Sequence, residues 1–455
     1  MCSSLNSSEL TYYSPRRRRF LTAVGTTAIG GFAGCSQNDD STATYDFDQF
    51  SFDPTSVPYD QTIPTDDDIT MFRRGLRRLG YYPDQTVPDD VEFDWQRPIN
   101  RIGHTAPKAS PVPTPNGETL LIPADTGKIH AVTPDGDEQW VIQTQATRQG
   151  FHASPVIVDQ TAYLGGYDGA NTGQEAAMYA IDTNTGDIRW RTEEMDGSVA
   201  IGSSAGYWDG YLYVIVEHRY PRKKGELWVF DAETGEPLVS DDRIDGMPHP
   251  TVAIDPATER LLTGSNDGNV YCWEFPSLNF QWSFETGAEV KGPIAIYEGN
   301  AYVGSWDQHI YCLDVTDGTE QWSVATDAVV MSAPAIDPND GMVYIGSDDM
   351  HLYAIDAKTG ETAWATNLHG RIMGGVTVTP ETVLVGTTAA ELCAVDKTSG
   401  QLQWFVETRG HVTSEPILHD GGIYFAERAV VSGYWDTTKE TKTETPGYAY
   451  CLRSS

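Results

Sequence analysis

The sequence predicts an all-β chain folded as an eight-bladed β-propeller that is closed by an N-terminal strand. Three observations carry this expectation. Seven segments built to one plan end at Trp140, Trp190, Val239, Trp282, Trp322, Trp364 and Trp404, a tryptophan or a residue standing in its place. Their spacing is roughly 40–50 residues, the range of blade repeats and solenoids. Each segment also divides into short alternating stretches punctuated by turns, which reads as strands rather than helices.

The unit from Ser332 to Trp364 shows the plan. SAPAID is a small-residue first strand, and Asp337-Pro338-Asn339-Asp340-Gly341 is a turn. MVYIGS alternates as a second strand, HLYAID follows as a third, and ETAWAT after Ala357-Lys358-Thr359-Gly360 is a fourth. Four antiparallel strands in ~40 residues make a propeller blade. First strands begin near Ser110, Ser154, Ser203, Pro250, Pro293, Ala333, Gly374 and Glu415, so the count is eight. The eighth unit ends at GYAYCL without a Trp strand. Glu92-Phe93-Asp94-Trp95-Gln96-Arg97 supplies it from the N-terminal side, which removes a free sheet edge. The propeller therefore spans 92–455.

The recurrent tryptophans read as packing between blades, not as a binding stripe. Cys272, Cys312, Cys393 and Cys451 replace the Ala of YAID and read as buried free thiols. Asp182 to Asp187 faintly resembles a calcium loop, but it occupies an ordinary turn between third and fourth strands.

The N-terminus reads as an address. Arg17-Arg18-Arg19-Phe20-Leu21 resembles the twin-arginine export motif, and a mildly apolar stretch runs on to Ala33. Phe32-Ala33-Gly34-Cys35 resembles a lipobox, which implies a lipid on Cys35 and a location on the outer face of the cell membrane. Residues 1–35 are thus expected to be a signal peptide. Residues 36–68, polar and Asp-rich, are expected to be a disordered acidic tether. Residues 69–91 are expected to be a short helical lead-in, with a helix over Ile69–Leu79 capped by Asp68 and ended by Gly80. Its Arg73, Arg74, Arg77 and Arg78 are expected to pair with the acidic body.

Tyr302–Trp322 reads YVGSWDQHIYCLDVTDGTEQW, and Tyr163–Trp190 and Leu261–Trp282 are looser copies. This pattern resembles the quinoprotein-type, PQQ-like repeat, also found in the lipoprotein propeller of the outer-membrane assembly machine. Together with the N-terminus it resembles a haloarchaeal-type twin-arginine lipoprotein. The quinoprotein dehydrogenases of that group imply pyrroloquinoline quinone and calcium at the propeller centre, a catalytic aspartate and, in many, a vicinal cysteine pair. This sequence has no adjacent cysteines and no assignable calcium cluster.

Composition narrows the partners. Asp and Glu number 65 against 30 Lys and Arg, a formal charge of −35. That argues against nucleic acid, whose phosphates need cations, and fits a protein kept soluble by self-repulsion in high salt. Against this background the blade junctions carry Arg101, His104, Arg148, His152, His249, Lys291, His369, Arg371, Arg409 and His411. Such a cationic funnel at the channel mouth would attract carboxylates or an acidic peptide. Three long loops between second and third strands (Asp168–Ala177, Glu217–Glu226 and Glu427–Gly447) crowd one raised sector. They carry Tyr220, Arg222, Lys223, Lys224 and Trp435, aromatics beside cations as on recognition surfaces.

No catalytic or metal residues are assigned. The expected function is an extracytoplasmic, lipid-anchored scaffold binding envelope or secreted proteins, in envelope protein assembly. The alternatives are a PQQ/calcium-dependent dehydrogenase and a small-ligand or sugar-binding receptor.

Overall fold

The structure is a computed structural model. It describes residues 69–102, 109–146, 149–167, 176–192, 195, 197–218, 224–432 and 442–455, with the two-residue strand Thr11–Tyr12. It is an eight-bladed β-propeller of antiparallel sheets. Blade five is typical, with Ala295–Tyr297 innermost, then Asn300–Gly304, His309–Asp314 and Glu320–Ala325 outermost. Thr11–Tyr12 lie along the outer strand of blade three. The signal peptide, Cys35 and the tether otherwise fall outside the described residues.

Ring closure follows the expected pairing of the N-terminal strand with the last blade. Val91–Asn100 is the outer strand of blade eight and pairs with Gly447–Ser454, placing Trp95 opposite Cys451. The four cysteines are buried and free. Burial pushes the thiols of Cys312, Cys393 and Cys451 up to about 12.

The tryptophans join blade to blade by one repeated contact, in which the indole Nε1 donates to a carbonyl oxygen of the next blade. The acceptors, at 2.9–3.1 Å, are Pro134 for Trp95, Thr183 for Trp140, Ala232 for Trp190, Val315 for Trp282, Ala357 for Trp322 and Lys397 for Trp364. Trp404 donates to Pro88, in the segment leading into the closing strand. The indole face lies on the glycine of the neighbouring turn. At Gly318, with φ of 75°, an added Cβ would fall 2.6 Å from the Trp282 ring. That turn therefore needs glycine for its backbone conformation and again for its neighbour. Blade three has Val239 instead of Trp. There the tie runs backwards: the fully buried Trp273 of blade four donates to Asp241 Oδ2 of blade three at 2.8 Å.

The expected helix over Ile69–Leu79 does not form. Ile69–Thr70 instead extend the sheet of blade two, pairing with Val158 and Ile157. Only Phe72–Arg74 makes a 3-10 turn, and Met71, not Asp68, precedes it. Arg73, Arg74 and Arg78 have positive φ, which no right-handed helix tolerates. The reason lies in the propeller axis. Inner strands present an unpaired backbone edge to the channel, and buried N–H groups need acceptors. The carbonyl oxygens of Leu76, Arg77, Leu79 and Gly80 accept from Ile254, Ile296, Ile336 and Val378, the inner strands of blades four to seven, at 2.9–3.0 Å. A helix would have spent those carbonyls on itself.

The segment is thus a plug across the channel. Arg78, fully buried, donates to the carbonyls of Val252, Ala205 and Phe72. Two of the four arginines pair with acids of the body: Arg77 with Asp255 at 2.7 Å and Arg73 with Glu415 at 3.1 Å. Burial raises the Glu415 carboxyl, and Arg73 opposes that rise.

Arg73→Leu would leave the Glu415 carboxylate buried without its partner and should cost about 3–5 kcal/mol in urea unfolding, with much of the loss recovered in Arg73→Leu/Glu415→Leu. Gly318→Ala should cost more than Gly341→Ala, whose φ is 66° but whose Cβ would meet nothing within 4 Å. The backbone cost common to both is about 1–2 kcal/mol, so the difference measures the tryptophan contact; equal losses would show that the ring does not require the glycine.

Candidate binding site at the channel mouth

Antiparallel four-stranded blades send two loop sets to the same end of the channel: the exit loops to the next blade and the loops between second and third strands. A cavity of about 80 Å³ opens at this end. Its floor is Phe72 of the plug and Glu415, and its wall includes His152, Tyr167, His249, Lys291, Met331 and Met373. The inner strands are tied together beneath it by hydroxyls. Ser110 Oγ accepts from Glu415 N, Ser154 Oγ from Ser110 N, Ser204 Oγ from Ser154 N and Thr251 Oγ1 from Ser204 N, at 2.9–3.0 Å.

Many acids of the chain are committed to backbone. Asp307 Oδ2 accepts from Gly287 N, Asp349 Oδ2 from Asp327 N, and Asp125 from Arg101 N and Ile102 N. Glu427 accepts from Arg409 N, Gly410 N, Tyr448 N and the Tyr450 hydroxyl. Each such carboxylate fastens an exit loop at a blade junction. Glu217 is different. Its buried carboxylate meets side chains, accepting from the Tyr167 hydroxyl at 3.2 Å and lying 3.0 Å from His249 Nδ1. Burial by itself lowers the His249 pKa; the Glu217 charge and hydrogen bond outweigh it and leave the pKa raised above 6.5. The His152 ring lies 4.5 Å from that of Tyr167.

Lys291 Nζ stands 3.3 Å from the centroid of the Trp306 indole, and burial lowers its pKa. Trp306, which the sequence marks only as a loop residue, thus belongs to the mouth. On the far side Arg371 Nη1 lies 3.7 Å from Asp348 Oδ2. Arg428 is buried, donates to Thr413 Oγ1 at 3.2 Å, and is lowered to about 10 by burial against the pull of Asp348. Burial, Arg428 and Arg371 together lower the His411 pKa and favour its neutral imidazole. The Arg409 guanidinium lies 4.3 Å from the centroid of the Tyr448 ring.

The structure therefore gathers His152, His249 and Lys291 at one cavity, sets Arg371 and His411 beside Arg428, and lays Arg409 on Tyr448. His369 has φ of 62° and donates its amide to Asn367 Oδ1. His104 and Arg148 lie outside the described residues, as do Tyr220, Arg222, Lys223 and Trp435 of the raised sector. Lys224 is described, and its ammonium lies 3.6 Å from Asp242 Oδ2. Sequence reasoning missed Glu217 as a mouth residue, and missed Arg428, Met331 and Met373. Arg428 follows Glu427 at the head of a long loop, the one signal that could have marked it.

The quinone and calcium implied by the repeat meet a poor fit at the axis. Arg73 and Arg78 fill it, and the carboxylates that meet the plug, Glu415 and Asp255, are committed to Arg73 and Arg77. Among the described residues no group of three His, Cys, Asp or Glu side chains converges on a metal site, and the described cysteines lie on separate blades.

The family model for the outer membrane protein assembly factor BamB, built on PQQ-like repeats, matches residues 92–255, 223–367 and 348–438. The chain belongs to that family. No curated protein matches it in sequence. Among solved structures it is similar to a europium-containing methanol dehydrogenase at 12% identity and a TM-score of 0.69, over 86% of this chain and 98% of that one. It is likewise similar to the quinohemoprotein alcohol dehydrogenase of Comamonas testosteroni at 13% identity and 0.67, over 84% and 80%. A third, the quinohemoprotein alcohol dehydrogenase ADHIIG of Pseudomonas putida HK5, gives 13% and 0.66, over 84% and 79%. These likenesses show the propeller fold of the BamB-type family member; they do not assign its chemistry.

A raised His249 pKa means that the His249–Glu217 pair stabilises the fold fully below about pH 6.5, and that this contribution is lost as pH rises through the folded-state value. Ring-proton NMR should show His249 titrating above 6.5 in the wild type and at lower pH in Glu217→Gln; an unchanged midpoint would contradict the pairing.

Proposed function

We propose that the protein is an extracytoplasmic, lipid-anchored propeller that serves as a scaffold for envelope or secreted proteins, gripping acidic segments of its partners at the cationic channel mouth. One observation carries this reading: the chain's own plug fills the axis, so the mouth and not the channel centre is left for binding. The family, whose model is described as an assembly factor, supports a place in envelope protein assembly. The N-terminal export and lipobox patterns support the location. In a chain of net charge −35, cations grouped at one opening focus attraction on acidic partners. The second reading, a PQQ/calcium-dependent dehydrogenase, is favoured by the similarity of fold over most of the chain.

The test is binding of a fluorescent poly-glutamate peptide and of membrane-extract proteins to the purified full chain. Arg371→Glu/Arg409→Glu should weaken peptide binding at least roughly tenfold, and rising salt should do the same. Equal binding by wild type and variant would overturn the mouth as the contact. Reconstitution with PQQ and calcium should give no dye-linked alcohol oxidation; turnover lost on removing the quinone would establish the enzyme instead.

A further inference from the structure

The plug carbonyls serve the inner strands of blades four to seven, and Ile69–Thr70 pair with that of blade two, but the inner strand of blade one is left aside. The reason is chemical. The residue of blade one at the position of Ile254, Ile296 and Ile336 is Pro113, which has no N–H to satisfy. Only its carbonyl needs a partner, and Thr70 Oγ1 supplies one at 2.6 Å. Pro111 and Pro115 flank it. A cavity of about 240 Å³ consequently remains between the plug and blades one and eight.

The cavity has an apolar wall and two arginines, of which Arg73 is already paired with Glu415. Ile69, Met71, Val112, Ile417 and Leu418 line it. Arg74 also lines it, its guanidinium stacked 4.5 Å from the centroid of the Tyr82 ring. Of the four plug arginines, Arg73 and Arg77 have acids and Arg78 has carbonyls. Among the described residues Arg74 has no acid and no carbonyl partner for its side chain, although acids outnumber cations by more than two to one in this chain. The Gln85 amide lines the same space.

We propose that this cavity is a binding site for a small monocarboxylate with a short hydrocarbon chain, its carboxylate held by the Arg74 fork and its chain against the wall of blades one and eight. A guanidinium fork matches a carboxylate with two parallel hydrogen bonds. Its stacking on Tyr82 fixes the fork before the ligand arrives, so less freedom is lost on binding. With the Arg73 charge met by Glu415, Arg74 is left to neutralise a single negative charge, and the second charge of a phosphate monoester would be uncompensated beside apolar walls. The site is separate from the channel mouth and does not rest on the scaffold reading.

The test is isothermal titration of the full chain with sodium hexanoate, against sodium acetate and 1-hexanol at constant ionic strength. One saturable site is expected, with acetate at least roughly tenfold weaker because its chain is missing and hexanol weaker because its charge is missing. Arg74→Gln should lose hexanoate binding at least roughly tenfold, as loss of the charge-assisted fork requires, while its unfolding midpoint stays near wild type. Arg74→Lys, which keeps the charge and loses the fork, should fall between the two. No saturable hexanoate binding, or binding undiminished in both Arg74 variants, would overturn the proposal.

Discussion

The free backbone edge of the inner strands is the constraint on which the rest of this molecule depends. A propeller hides the sheet edges of its blades from one another but leaves a ring of N–H groups facing its own axis. In a channel closed to water, each unpaired group costs about 1–3 kcal/mol. This chain meets that demand with residues 69–82, whose carbonyls serve four blades in turn. The irregular course of the plug, its left-handed residues and its glycines all follow from partners that lie around a circle. So does the deep burial of arginines, which reach carbonyls across the axis that no helix side chain would meet.

The same constraint shapes the surface available for function. With the axis filled, the mouth becomes a shallow cavity with Phe72 as its floor, ringed by His152, His249, Lys291 and Met373. Asp307, Asp349 and Glu427 hold exit loops by their backbone amides at the blade junctions. At the opening Lys291, Arg371 and His249 stand beside Glu289, Asp348 and Glu217. A fold shared with quinone dehydrogenases has here been closed at the place where the resemblance puts the quinone. On the far side of the plug, one proline in blade one is enough to leave a gap.

The ring itself is legible in the sequence because its unit repeats. Trp, the turn glycine and the YAID stretch recur at fixed offsets, and the missing strand of the eighth unit points directly to Trp95. The backward tie between Trp273 and Asp241 was not legible, since Trp273 breaks the pattern instead of following it. The plug was misread for a physical reason. Arg73, Arg74, Arg77 and Arg78 at helical spacing, after an Asp and before a Gly, fit the local rules for a capped helix. Local rules do not see that inner strands far along the chain, at Ile254, Ile296, Ile336 and Val378, claim the same carbonyls. The junction positions of His152, His249 and Lys291, which line one cavity, can be read from the sequence because exit loops sit at a fixed place in the repeat. Glu217 was not recognised as their partner, because its neighbours Tyr167 and His249 come from other blades.

The most direct measurement is hydrogen exchange at the amides of Ile254, Ile296, Ile336 and Val378, the inner-strand donors that face the plug. If residues 69–82 close the axis, these four amides exchange as slowly as Ile310 and Leu352 in the middle of their blades, through opening of the whole ring. Fast exchange at all four, with Ile310 and Leu352 still protected, would mean that the plug is not seated and that the channel is open.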